Sequence, residues 1–358
     1  MHGTSCFLVS ALLLLRINHV FGQIASNNFI APLAIQNNVI TPYIVNDGVT
    51  ICKCAYPGSC PTTVIDVRIV NDPTNSGCPA GMIMCCTRDG NNPSPNPAPD
   101  TCGIRKIPAV PQQVAGRASF GAYPWQAILK DRSNNYLGSG VLLDATHVLT
   151  VAHKVVAYLN NPQGMLVGLG EWDDQSTSEA YRDINVNVAR IVLHPNFNSA
   201  NLENDVAVIK LNGLVPIASY PNINTACRPA AAPVTGTRCF VSGWGKNSFT
   251  GSYQNIMREV DVPILDGTDC ENRLKNTRLG AAFILNRNSF LCAGGEPGKD
   301  ACTGDGGSPL VCLNSQTSRW SVYGLVAWGI GCATTNVPGV YTNVYNFLPW
   351  INQILATV

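Results

Sequence analysis

The chain has 358 residues, a formal net charge of +1 at pH 7 and only 13% charged residues. This length is ample for one large domain together with a small one. The near balance of charge argues against nucleic acid as a partner, because it provides neither a basic face nor an acidic tail. Beyond the N-terminal segment, no apolar run is long enough for a membrane span.

Residues 1–22 have the pattern of a secretory signal peptide. The apolar run 7–15 is too short to cross a bilayer, and Gly22 is a small residue at a suitable cleavage point, with a cut after Ala25 as the alternative. Of the 15 cysteines, Cys6 lies within this signal, and the even number that is left fits an oxidising compartment. We therefore predict a secreted, extracellular protein.

The distribution of cysteines predicts two domains. Six of them crowd between Cys52 and Cys86, and eight spread between Cys102 and Cys332. Residues 23–50 are Asn-rich and stay unassigned, whereas residues 51–87 are too few to bury a core and need disulfides to fold. Six cysteines allow fifteen pairing schemes, among which the spacing alone does not choose. Residues 88–101 are rich in Pro and Asn and predict an extended linker.

Residues 102–358 consist of short apolar or alternating runs separated by Gly, Pro and Asn, as in GVLLDATHVLTVAH, DVAVIKL and WSVYGLVAWG. This pattern predicts an all-β domain whose length suits two packed barrels. A final helix is predicted over Leu348–Ala356, with Pro349 in its first turn.

Three segments of this domain carry the residue types of acyl transfer, in which a base and an orienting carboxylate activate a nucleophile. His153 lies in LTVAHK, Asp205 in NDVAVIKL and Gly306 in DACTGDGGSPLVC. In this order the segments resemble the active-site segments of trypsin-like serine proteases, which have a serine at the position of Gly306. The resemblance implies a trypsin-like double six-stranded β-barrel with a C-terminal helix.

Glycine at position 306 removes the nucleophile, because without a hydroxyl group no acyl-enzyme forms. Loss of the nucleophile from such a triad costs on the order of 10⁶ in turnover. Ser308 lies two residues further on, roughly 6–7 Å of extended chain away, whereas attack needs about 3–3.5 Å. We therefore predict a pseudoprotease in which His153, Asp205 and Gly306 are vestigial triad positions. By resemblance, the amides of Gly304 and Gly306 would form the oxyanion hole.

Further features are implied by the resemblance alone. Asp300, Gly329 and Gly339 would form a pocket for Arg or Lys, and the alternative is an inherited pocket that is not used. The family's disulfide beside the histidine is absent, because its two positions hold Gly138 and Lys154. The eight cysteines of this domain would then pair as Cys102–Cys227, Cys239–Cys312, Cys270–Cys292 and Cys302–Cys332.

Activation of this family needs a cut after a basic residue, and the new N terminus then pairs with an aspartate, here Asp305. The corresponding residues 111–113 include no basic residue, so we predict that the loop around Asp305 stays zymogen-like. Regulatory cleavage by another protease is expected at exposed basic residues, and the candidates are Arg68, Arg88, Arg105, Lys106 and Arg117.

The acidic segment GLGEWDDQSTSEAY resembles the calcium-binding loop of trypsin-like proteases. Calcium prefers several hard oxygen ligands, and Glu171, Asp173 and Glu179 would supply carboxylates. The alternative is a solvated acidic loop without an ion. No other cofactor is expected.

The N-terminal cysteine pattern carries a second resemblance. The sequence CKC, the run VIDVRIV between the third and fourth cysteines and the final CC resemble the clip domain of arthropod proteases. This resemblance implies the disulfides Cys52–Cys85, Cys54–Cys78 and Cys60–Cys86. Over about residues 50–88 and 102–358, the chain resembles an arthropod clip-domain serine protease homologue, a group that includes prophenoloxidase-activating cofactors and masquerade-like proteins.

The resemblance implies a function in innate immunity that needs no catalysis. The protein would act in haemolymph as a binding cofactor or scaffold, with prophenoloxidase and its activating clip protease as partners and melanisation as the outcome. Two alternatives stay open: a pattern-recognition or adhesion protein that binds microbial surfaces, and an active endopeptidase with an unforeseen nucleophile.

Overall fold

The computed structural model of the chain describes residues 102–110, 112, 114–176, 178–246, 252–299, 305–331 and 334–358, together with three short strands before them. The chain divides into two compact units, Met1–Pro93 and Ser94–Val358. This division falls within residues 88–101, and the predicted domain limits stay predictions. Within the described residues, no helix is both long enough and apolar enough to cross a membrane.

The first unit contains three antiparallel strands: β1 (Tyr43–Ile44), β2 (Ile51–Ala55) and β3 (Ile83–Thr87), paired in the order β1-β2-β3. The backbone register sets Cys52 opposite Cys86. The predicted signal peptide and the side chains of the clip cysteines lie outside the described residues. The same holds for the predicted disulfides Cys52–Cys85, Cys54–Cys78 and Cys60–Cys86.

The second unit begins with a closed barrel of six antiparallel strands. They are β4 (Gln126–Asp131), β5 (Tyr136–Asp144), β6 (His147–Thr150), β7 (Met165–Leu169), β8 (Ile184–Leu193) and β9 (Ala207–Leu211). Around the barrel they follow the order β4-β5-β6-β9-β8-β7. Branched and aliphatic side chains favour strands and fill the interior, where Leu129, Leu142 and Ile209 are fully buried.

Six further strands form a second sheet: β10 (Arg238–Gly243), β11 (Arg258–Pro263), β12 (Phe290–Gly294), β13 (Pro309–Asn314), β14 (Arg319–Trp328) and β15 (Pro338–Asn343). Their order is β11-β10-β13-β14-β15-β12. A bridge between Ile264 and Ala293 links the end of β11 to β12 and so brings the outer strands together. The predicted double six-stranded barrel is confirmed.

Three α-helices complete this unit: α1 (Ala152–Val155), α2 (Gly267–Lys275) and α3 (Val344–Thr357). The C-terminal helix α3 was predicted, but it begins four residues earlier than expected and holds Pro349 in its second turn. Proline there removes one backbone hydrogen bond. Burial of Val344, Phe347 and Ile351 in the core offsets that loss, because these residues share one face of the helix.

Three disulfides close within the described residues. Cys102–Cys227 ties the start of the second unit to its body, Cys239–Cys312 joins β10 to β13, and Cys270–Cys292 joins α2 to β12. These are three of the four pairs that the resemblance implies. The fourth, Cys302–Cys332, lies outside the described residues.

Candidate functional site

The structure brings His153 and Asp205 together. His153 lies on the one-turn helix α1, which follows β6, and its Nδ1 is 2.6 Å from Asp205 Oδ2. The backbone N–H of His153 donates to Asp205 Oδ1 over 2.8 Å. The Asp205 side chain is fully buried, and Thr342 donates to its backbone carbonyl over 2.8 Å. Because Nδ1 is bonded to the carboxylate, the other imidazole nitrogen, Nε2, is the one that can act on a group at the nucleophile position.

Gly306 lies beside His153 Nε2, at the position of the nucleophile. A Cβ placed there in ideal geometry would be 3.2 Å from Nε2. The Gly306 carbonyl accepts from the backbone N–H of Ser139 over 3.0 Å, and the next residue, Gly307, donates to the Val326 carbonyl over 2.9 Å. Gly307 has a φ of +86°, where a side chain would also overlap the Ser139 carbonyl oxygen. The site holds the base and its carboxylate in position, without a nucleophile.

Ser308 does not replace the missing nucleophile. Its side chain is fully buried, and its Oγ has no hydrogen-bond partner among the described residues. The hydroxyl lies against the end of β10, where a Cβ on Gly243 would be 2.7 Å from it. A fully buried hydroxyl without contact to His153 is a packing group and not a reactive one.

Asp305 accepts a hydrogen bond from within the chain. Gly245 donates its backbone N–H to Asp305 Oδ1 over 2.8 Å. Gly243 and Gly245 leave room for this carboxylate, because a Cβ on either residue would overlap Oδ1. A desolvated carboxylate needs donors, and this amide supplies one without a new N terminus. The predicted oxyanion hole is only partly described, since Gly304 lies outside the described residues.

The predicted specificity pocket is also described in part. Gly329 follows β14, and a Cβ placed on it would meet none of the described residues within 4 Å. Gly339 lies in β15 and is buried, as is Ala327 near the end of β14. Asp300, which would set the preference for Arg or Lys, lies outside the described residues. Space is therefore open at Gly329, and the pocket stays a prediction.

The predicted calcium loop already holds a cation from the chain itself. Lys130, on β4, forms an ion pair with Asp174 and lies 3.7 Å from Glu171 Oε2, with only 6% of its side chain exposed. Glu179 accepts from the backbone N–H of Asp173 over 2.7 Å. Calcium takes about six to eight oxygen ligands at about 2.3–2.6 Å, whereas the Lys130 ammonium lies beside Glu171 and Asp174. The ammonium competes with a cation at Glu171, and the calcium site stays a prediction.

Nothing in the sequence pointed to Lys130, because it is far from the loop along the chain. Pairing of β4 with β7 sets Lys130 opposite Leu166 and so brings it next to the loop that follows β7. Burial raises the pKa of Glu171 to about 7, and the charges of Asp183, Glu179 and Asp174 add to the rise, while Lys130 opposes it. The loop is a crowded acidic cluster with one internal cation.

Two of the candidate processing residues are held by contacts with other parts of the second unit, to which they belong. The Arg105 guanidinium lies 4.2 Å from the ring centroid of Trp320 and 5.1 Å from that of Tyr123. Such stacking stabilises an arginine in place. The ammonium of Lys106 donates to three backbone carbonyls of one segment, those of Ile217, Tyr220 and Ile223.

Arg117 is half-buried, and its backbone forms a bridge with Arg258. A trypsin-like protease has to take the basic side chain of its substrate into its own pocket. The contacts of Arg105, Lys106 and Arg117 therefore disfavour cleavage at these residues. The other two candidates, Arg68 and Arg88, lie outside the described residues.

The fold and the site together define a trypsin-like pseudoprotease. Both barrels are present, the base and its carboxylate are hydrogen-bonded, and the residue at the nucleophile position has no side chain.

Comparisons with known proteins agree with this class. A sequence model of the family described as Trypsin matches residues 114–351. The chain is 45% identical over 328 residues to the Inactive CLIP domain-containing serine protease A3 of Aedes aegypti, across 85% of this chain and 67% of that protein. It is 42% identical over 258 residues to Phenoloxidase-activating factor 2 of Galleria mellonella, across 67% of this chain and 83% of that protein. Protein masquerade of Drosophila melanogaster is 37% identical over 238 residues, across 66% of this chain and 22% of that protein.

The chain belongs to the trypsin family and, within it, to the clip-domain serine protease homologues. The word "inactive" in the name of the Aedes relative agrees with a site that lacks its nucleophile. The protein is a pseudoprotease, as predicted.

Proposed function

We propose that the protein is an extracellular, non-catalytic cofactor that assists an active clip protease in activating prophenoloxidase. The observation that carries this proposal is the hydrogen-bonded pair of His153 and Asp205 beside Gly306. The framework of a protease is kept while the atom that would cut a peptide bond is gone. A domain of this kind still offers its surface to other proteins.

The relative from Galleria mellonella supports the choice of cascade. Its name states that it activates phenoloxidase, and the match covers 83% of its length at 42% identity. The similarity therefore extends over most of that protein, and we expect the two proteins to act in the same kind of reaction. By this proposal, the partners are prophenoloxidase and its activating clip protease.

The mechanism is binding alone. A protein that holds a protease and its substrate together raises their effective concentration, and no bond in the cofactor is made or broken. Each stable contact needs roughly 800 Å² of surface from each partner, which a domain of this size can offer.

Reconstitution tests the proposal. The purified protein, intact or cut in the linker, is added to prophenoloxidase and its activating clip protease, and phenoloxidase activity is followed. We expect at least one form to enhance the activity. The variant His153→Asn should enhance it equally, because catalysis by this domain is not involved. The proposal is wrong if neither form enhances the activity, and binding to peptidoglycan or bacterial cells in the same preparation would then favour the microbial alternative.

A further inference from the structure

The side chain of Lys154 runs through the space of the absent disulfide. A Cβ placed on Gly138 would lie 3.1 Å from Lys154 Cγ and 3.2 Å from its Cδ, and 2.8 Å from the carbonyl oxygen of Gly306. Non-bonded carbon atoms prefer a separation of about 3.5–4.0 Å. The two positions that would hold a cystine therefore hold one aliphatic stem and a glycine that makes room for it.

The same stem continues to the nucleophile position. A Cβ placed on Gly306 would be only 2.4 Å from Lys154 Cε. That carbon therefore takes up the volume that the Cβ of a serine would need. The contact joins two changes in the sequence, the lost disulfide and the lost serine, at one point in space.

The backbone on both sides of this contact is held in place. The Gly306 carbonyl accepts a hydrogen bond from the Ser139 backbone N–H, and Gly307 donates its backbone N–H to the Val326 carbonyl. Lys154 follows His153, whose backbone N–H is bonded to Asp205. A side chain at position 306 would therefore have to displace the lysine stem and not the loop.

The amino group of Lys154 lies in a partly buried site near two carboxylates. Burial lowers the pKa of this amino group, and the negative charges of Asp305 and Asp205 oppose this effect. The two carboxylates therefore offset part of the cost of burying the ammonium group.

We propose that Lys154 closes the former nucleophile site, and that Gly138, Lys154 and Gly306 form one packing unit in which a side chain at position 306 and the lysine stem exclude each other. Two features then keep the site inactive: the hydroxyl group is absent, and the lysine stem occupies the volume of the missing side chain. A return to serine at position 306 would require the lysine stem to move away from its place beside Gly306. This inference concerns the site itself and is independent of the proposed cofactor role.

Adding a single methyl group tests the proposal. Gly306→Ala should lower the melting temperature by about 2–4 °C, the lower end of what overpacking costs in a domain of this length, because the lysine stem can move aside. The matched control is Gly329→Ala, which adds the same group where no described residue lies within 4 Å and should leave the melting temperature nearly unchanged.

Repeating Gly306→Ala in two variants of Lys154 shows whether Lys154 is the residue that opposes the added methyl group. Gly306→Ala should cost little in Lys154→Ala, which lacks the stem, and should keep its full cost in Lys154→Met, which retains the stem without the charge. An equal cost in all three backgrounds, or no cost in the wild type, would overturn the proposal.

A cystine variant covers the case in which Lys154→Ala does not fold. Gly138→Cys combined with Lys154→Cys should form a disulfide in the secreted protein, measured by thiol titration, and Gly306→Ala should then be tolerated. An undiminished cost of Gly306→Ala in this variant, which has no lysine stem whether or not its thiols are oxidised, would overturn the proposal.

Discussion

His153 and Asp205 have a structural reason to persist in a protein that does not use them for catalysis. The Asp205 carboxylate is fully buried and accepts hydrogen bonds from the backbone and the ring of His153. A buried carboxylate that loses a donor is costly. The vestigial pair therefore stabilises the fold independently of any reaction.

Replacing His153 should reveal this structural role. His153→Ala removes the side-chain donor to Asp205 and should lower the free energy of unfolding by about 1–3 kcal/mol, measured by urea denaturation at neutral pH. His153→Asn is the matched control, because its amide retains a donor and should lose less. Equal stability of His153→Ala and the wild type would show that the hydrogen bond contributes nothing.

For individual residues, the sequence predicted the chemical role of a position better than its side-chain contacts. Gly306 was recognised as the position at which the nucleophile is missing, because the residues around it follow a family motif. The contact between Lys154 and Gly306 was not predicted, since it depends on where a flexible stem lies once a disulfide is gone. Local motifs identify the reacting positions, whereas the filling of a vacated volume follows only from the folded structure.

Among the elements, the acidic loop after β7 makes a contact that the sequence did not predict. Two of its carboxylates, those of Glu171 and Asp174, face the Lys130 ammonium on the neighbouring strand β4. This internal cation offsets part of the negative charge of the loop.

We expect the stability of the wild-type protein not to depend on calcium. Its melting temperature should be the same in millimolar calcium and in excess chelator. Lys130→Met should destabilise the fold by on the order of 2–3 kcal/mol, because it leaves the carboxylates without their cation, and calcium should then raise its melting temperature. Lys130→Arg, which keeps the charge, is the control. A wild-type protein that loses stability in chelator would contradict this account.

The same loop should make stability depend on pH. In the folded chain the pKa of Glu171 is about 7, above the usual value of 4.5, chiefly because of burial. The folded state therefore binds a proton that the unfolded chain has released, and stability should fall as the pH rises from about 4.5 to about 7. Glu171→Gln should remove this part of the slope in denaturation curves measured across that range. An unchanged slope would show that Glu171 titrates normally.

The segment that carries Arg105, Lys106 and Arg117 should resist proteolysis. In the native protein, limited trypsin digestion should spare these residues, because their side chains or backbone are engaged with the second unit. Reduced and denatured protein should be cut at all three, as mass spectrometry of the fragments would show. Rapid native cleavage after Lys106 would contradict the docking. On a non-reducing gel, the two sites are distinguished by the size of the product. A chain cut after Lys106 stays attached through Cys102–Cys227, whereas a cut after Arg88 releases the first unit.

The start of helix α3 shows why element limits were harder to predict than element types. Pro349 favoured a start close to it, but Val344 and Phe347 already pack in the core. Their burial depends on the surrounding strands, which local sequence signals do not contain.

For the molecule as a whole, the sequence was sufficient to predict the class of protein. The alternation of short apolar runs and turns, the order of the three active-site segments and the cysteine pattern led to a two-barrel pseudoprotease, and the structure and the relatives confirm it. Binding partners are recognised by surface residues, and these follow no comparable sequence motif. The proposed cofactor role therefore rests on similarity to the relatives and on the absence of the nucleophile.

Hydrolysis of an arginyl or lysyl ester by the homogeneous protein is the most direct test of this account. The protein, intact or cut in the linker, is assayed beside its His153→Asn variant. We predict no hydrolysis above that of the variant in either form, because Gly306 offers no nucleophile and Lys154 fills its place. Turnover by the wild-type protein that the His153→Asn substitution abolishes would contradict the account.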